Sequence, residues 1–128
     1  MIGFEELLAA LGCTYTKASS EGSMEIFQVQ HDDRYFIALI FEDKGKPTFL
    51  RLMFVLDRID VSGATCQYEM LLELNRETWM GSYAIDAKTG TVLYVFNFPM
   101  AGFDAQAMAI AEETFDMARR IYQEAVKE

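Results

Sequence analysis

One histidine, two cysteines and 11 basic residues are all that this 128-residue chain offers to the commonest kinds of site chemistry, and their scarcity excludes a good deal. Cys13 and Cys66 are far apart, and neither has a second Cys or His at metal-ligand spacing, so no zinc site or redox pair is readable. Both are expected as buried, reduced thiols. Against the 11 basic residues stand 20 acidic ones, a net charge of −9. The adjacent basic pair Arg119-Arg120 lies among Glu112, Glu113, Asp116 and Glu124, whereas a phosphate-backbone binder needs clustered cations to displace counterions. Nucleic acid is excluded as a partner on this ground. No apolar run approaches the ~18 residues of a transmembrane helix, so no membrane span is expected. The start of the chain carries Glu5 and Glu6 where a secretory signal would be basic, and Ala10 stands where a lipidated cysteine at Cys13 would need Leu. A reducing, cytoplasmic setting is the expectation.

Catalytic spacing is equally scarce. No Gly-x-Ser-x-Gly elbow and no glycine-rich phosphate cradle occur, since Gly81 falls in a strand and Gly90 in a hairpin. His31 beside Asp32 and Asp33 is the candidate for a general base, and it reads as an exposed polar turn. Asp32, Asp33, Glu42 and Asp43 gather at turns, but without the central glycine and terminal glutamate of a calcium loop. No catalytic, cofactor or metal residue is assigned, and the chain is expected not to be an enzyme.

What is present is a core: 52% of the residues are hydrophobic, enough for one domain spanning residues 1–128. Phe4, Leu7, Leu8 and Leu11 recur at helical spacing before Gly12. Residues Cys13 to Lys17 are a possible short extended piece, followed by a polar turn from Ala18 to Ser23. Met24 to Gln30, Tyr35 to Phe41 and Phe49 to Leu56 then read as three strands in meander order, separated by turns at His31 to Arg34 and Asp43 to Pro47. Ser62 or Thr65 is placed to cap a helix carrying Tyr68, Leu71, Leu72 and Leu74 and ending at Asn75. Trp79 to Asp86 and Thr91 to Phe98 flank a hairpin loop with Gly90. Asp104 is a good N-cap for a last helix, with Phe103 and Met108 as its staple. Its stripe of Met108, Ala111, Phe115, Ala118, Tyr122 and Ala125, widened by Ile110, Met117 and Ile121, reads as core. The expected architecture is α+β, in the order α-βββ-α-ββ-α, with an antiparallel sheet packed with helices.

Two strands break the rule for a solvent-facing sheet. Tyr35 to Phe41 is apolar throughout and Phe49 to Leu56 is interrupted only by Arg51, where a wet face would alternate. Either helices cover both faces and all of these residues are core, or three helices cover one face and the second, left apolar, marks an interface. Pairing Phe41 with Phe49 would put Tyr35, Ile37, Leu39, Phe41, Phe49, Met53 and Val55 on one face with Arg51. These seven are the candidate partner or dimer surface, and a homodimer is expected, with a protein client as a further possible partner. A second reading is a small-molecule or sensory domain with a pocket between sheet and last helix, using Trp79, Tyr83 and Tyr94. A third is an enzyme subunit, which would need carboxylates converging on His31.

The stretch Leu71-Leu72-Glu73-Leu74-Asn75, then Gly81-x-Tyr83-x-Ile85-Asp86 and Thr89-Gly90-x-Val92, resembles the YbjN-like family, and the element order resembles the type III secretion chaperone-like fold. The likeness covers about residues 62 to 125 well, and the first half by element order alone. It implies a small acidic cytoplasmic protein, usually dimeric, that binds other proteins without catalysis; secretion chaperones hold an extended client segment across apolar patches. The possible strand at Cys13 to Lys17 departs from the pattern, and no individual functional residue is carried over.

Overall fold

A computed structural model describes residues 3–21, 24–44 and 46–127. The order is α1 (Phe4–Ala10), β1 (Thr14–Glu21), β2 (Met24–His31), β3 (Arg34–Asp43), β4 (Lys46–Arg58), α2 (Thr65–Asn75), β5 (Ser82–Asp86), β6 (Thr91–Pro99) and α3 (Ala105–Val126). The fold is α+β. All six strands pair antiparallel in the order β1-β2-β3-β4-β6-β5, so β6 inserts beside β4 and leaves β1 and β5 as edges.

Alternation along the strands sorts the apolar residues onto two faces. Phe27, Val29, Phe36, Ala38, Ile40, Leu50, Leu52, Phe54, Tyr83, Val92, Tyr94 and Phe96 point one way and are buried. All three helices cover that face: Phe4 and Leu8 from α1, Leu71 from α2, and Met108, Ala111, Phe115, Ala118 and Tyr122 from α3 join the same cluster. Phe54 is its centre, stacking on Phe115 at 4.6 Å and meeting Phe36 at 4.6 Å and Phe96 edge-on at 5.7 Å. Asp104 caps α3 by accepting from the Ala107 N–H at 2.9 Å. Gly90 closes the β5–β6 hairpin at φ 76°, and a Cβ there would collide with the Ile59 carbonyl oxygen, whose own N–H donates to Gly90 O at 2.8 Å.

Several expectations are corrected. The extended piece at Cys13 to Lys17 is a full edge strand, β1, so the first half holds four strands and the sheet six. Ala18 to Glu21 belong to that strand and not to a turn, while Gly22 and Ser23 of the expected turn lie outside the described residues, as does Gly45 of the next. Neither Ser62 nor Thr65 caps α2: the N-cap is Ala64 without a side-chain bond, and the Ser62 hydroxyl donates to Asp60 instead. Cys66 is exposed and Cys13 half-buried, so the two thiols are not both core. Burial, then the charges of Glu112 and Asp32, pushes the Cys13 thiol up to about 11.

Candidate functional site

The other face of the sheet has no helix over it among the described residues. Its geometry follows from register. Phe41 pairs with Phe49, and this places Met24, Phe41, Phe49 and Pro99 in one cross-strand row. Ile26, Leu39, Arg51 and Asn97 form the next, and Gln28, Ile37, Met53, Val95 and Ser82 the third. Tyr35 beside Gln30, and Val55 beside Leu93 and then Ala84, complete it. The seven residues expected together are therefore together. They are apolar in the middle strands, with Gln28, Gln30, Thr14 and Thr16 toward the β1 edge and Ser82 toward the other.

Sideways contact within the face leaves most of these residues half-buried, while Phe49 is 60% exposed and Tyr35 39%. Arg51, in the middle of these rows, is held down: its Nε donates to Asn97 Oδ1 at 2.7 Å, and the guanidinium lies 5.9 Å from the Phe41 ring centroid. At one end, Tyr35, Ile37, Val55, Leu56, Asp57, Arg58 and Thr91 line a depression of about 430 Å³ beside the bulge at Leu56. An apolar centre with a polar margin is the anatomy of a protein contact surface.

His31 is not the exposed polar turn that its neighbours suggested. Its Nδ1–H donates to Glu112 Oε2 at 2.5 Å, and Glu112, on α3, is only 7% exposed. Arg34 joins them, donating through Nη1 to Glu112 at 3.3 Å and pairing with Asp116 at both ends: Nε to Oδ1 at 3.0 Å and Nη2 to Oδ2 at 2.8 Å. The Arg34 bond holds the Asp116 carboxyl below the usual aspartate range, against the opposing pull of burial. Arg119 spans Asp116 and Asp33. Carboxylates thus do converge near His31, yet each is taken by a cation, and the group fastens α3 to the β2–β3 turn. Nothing in its local sequence announced it, because Glu112 and Arg34 lie 78 residues apart.

Of the aromatic trio of the pocket reading, Tyr83 and Tyr94 meet edge-on at 4.9 Å and Trp79 stands apart from them. Trp79 is fully exposed and precedes β5, which starts only at Ser82. Tyr83 and Tyr94 are core residues whose hydroxyls donate to Ala118 O at 2.7 Å and Met80 O at 2.6 Å. Burial pushes the Tyr83 hydroxyl up to about 12. A cleft of about 520 Å³ lies elsewhere, between α1 and the sheet, lined by Phe4, Phe27 and Ile40 with Glu5, Glu6 and Glu25. Among the described residues, no group of three or more His, Cys, Asp and Glu is placed to hold a metal ion, and no helix is long and apolar enough to cross a membrane.

An antiparallel sheet with its helices on one side and an apolar second side defines a class of α+β scaffold with one open sheet face. Residues 3–126 match the YbjN family, described as "Putative bacterial sensory transduction regulator", and the chain belongs to that family. No curated protein matches it, and no solved structure does.

Proposed function

We propose that this chain is a noncatalytic, homodimeric protein-binding module that holds an extended segment of a protein partner on the open face of its sheet. The carrying observation is the cross-strand block of Phe41, Phe49, Leu39, Ile37, Met53 and Val55, apolar and uncovered beside strands of the same sheet whose other face is fully packed. A regulator works by contact, and the family description supports that class of action. Removing such a surface from water is worth roughly 25 cal/mol per Å² before the costs of association. The margin of Gln28, Gln30, Ser82 and Asn97 supplies hydrogen bonds to a partner backbone lying across it. The test is Met53→Asp and Phe49→Asp, carried on chains recovered from native cells after cross-linking. Both side chains point away from the core, so the fold should persist by circular dichroism. The expected result is loss of the cross-linked partner, with affinity for it lowered about thirtyfold or more. Unchanged partner recovery in both variants would sink the reading.

A further inference from the structure

The helices carry a second uncovered apolar strip, on α3, and its charges say what fits it. Ile110, Met117 and Ile121 were expected in the core and are instead 45%, 56% and 47% exposed. Together with Thr114 they are spaced four, three and four apart, which is the seam of a coiled coil and lies to one side of the buried stripe Met108, Ala111, Phe115, Ala118 and Tyr122. Thr114 suits an apolar layer because its hydroxyl already donates to Ile110 O at 2.8 Å. Beside the seam stand Glu113 and Arg120. Both are exposed, and among the described residues neither has an ion-pair partner within the chain, whereas Asp116 and Arg119, further round the helix from the seam, are taken by Arg34 and Asp33.

We infer that this strip is where a second copy of the chain docks, its α3 antiparallel to the first. A twofold axis that sets Ile110 against Ile121 of the second copy also sets Thr114 against Met117, so each apolar layer is matched. Positions before the seam residues meet their counterparts across an antiparallel pair, and this brings Glu113 of each copy to Arg120 of the other, twice. A parallel pair would lack that match. The seam therefore reads itself only in one orientation, and two chains of net charge −9 meet where opposite charges alternate. The inference rests on the homodimer of the proposed function but not on the sheet face, which lies on the opposite side of the sheet from α3.

The decisive experiment is a charge exchange read by sedimentation at about 50 µM. Glu113→Arg and Arg120→Glu each put like charges at both contacts, so each should dissociate roughly tenfold more readily than the unaltered chain. Mixing the two variants restores both contacts in a heterodimer, so the mixture should regain the dimer mass, as should a chain carrying both changes. Single variants that keep the dimer mass, or a mixture no heavier than its components, would overturn the inference. An unaltered chain that is monomeric at that concentration would overturn it together with the homodimer. If Met53→Asp dissociates the dimer while the charge variants do not, the sheet face is the subunit contact and the α3 seam is refuted.

Discussion

Arg34 is the residue on which most of the polar structure turns, because one guanidinium neutralises Asp116 through two bonds and the buried Glu112 through a third. Removing it leaves Glu112 with only His31 and Asp116 with only Arg119, two carboxylates on the same turn of α3 that have lost the guanidinium between them. Arg34→Met is therefore expected to destabilise the fold by about 2–3 kcal/mol, less than a fully buried pair because Asp116 is partly wet. The urea midpoint at neutral pH measures it; a midpoint equal to that of the unaltered chain would refute the role. The pH dependence has a definite sign. Asp116 is held below its ordinary value of 3.8, so its contribution is fully present above that value and is lost as the pH falls through the depressed one. In Arg34→Met the largest cause of that depression is gone and only Arg119 and Arg120 remain to hold the carboxyl down, so the acid-side loss of stability attributable to Asp116 should shrink. A titration of urea midpoints from pH 7 downward, compared between the two chains, separates the outcomes.

At the level of elements, α3 is the strongest statement in the sequence and the easiest to perturb cleanly. Asp104→Ala removes the acceptor for the Ala107 N–H and should lower stability by about 1 kcal/mol, whereas Asp104→Asn, which keeps an acceptor, should recover most of it. Thermal unfolding of the pair checks this, and equal losses in both would show that the cap contributes by charge alone. The cap, the 3.6-residue stripe and the two nearly continuous apolar strands were legible because each is a local pattern. The Phe41–Phe49 register was legible because a short loop leaves few pairings, and side-chain alternation then assigns every face residue. β1 was only half legible, since an edge strand pairs on one side and needs little apolar content: Tyr15 packs on the core while Thr14, Thr16 and Lys17 are exposed. Trp79 misled because its size suggested burial while the pairing of β5 with β6 begins three residues later. The His31–Glu112–Arg34 group was invisible because its members are brought together by the fold and not by spacing. Ile110, Met117 and Ile121 fit a helical stripe equally well as core or as seam, and periodicity cannot separate the two.

For the whole molecule, the consequence of the architecture is that the two uncovered surfaces lie on opposite sides of one sheet. The helices, and with them the α3 seam, pack on the Phe54 side, while Phe41, Phe49 and Met53 face the other way. A dimer formed through α3 would therefore turn both sheet faces outward and offer two equivalent holding sites, so a partner with two apolar segments would bind with avidity. Substitutions at the two surfaces share no contacts and should act independently. Met53→Asp is thus expected to abolish partner recovery without changing the dimer mass. Arg120→Glu is expected to halve the mass and still recover the partner, more weakly because the second site is gone. Light scattering and partner recovery on the same four samples, unaltered, each single variant and the double, decide the matter. Full independence of the two readouts supports separate surfaces. Loss of both mass and partner in Met53→Asp would instead mean that the sheet face is shared, with one subunit occupying the place assigned to the partner.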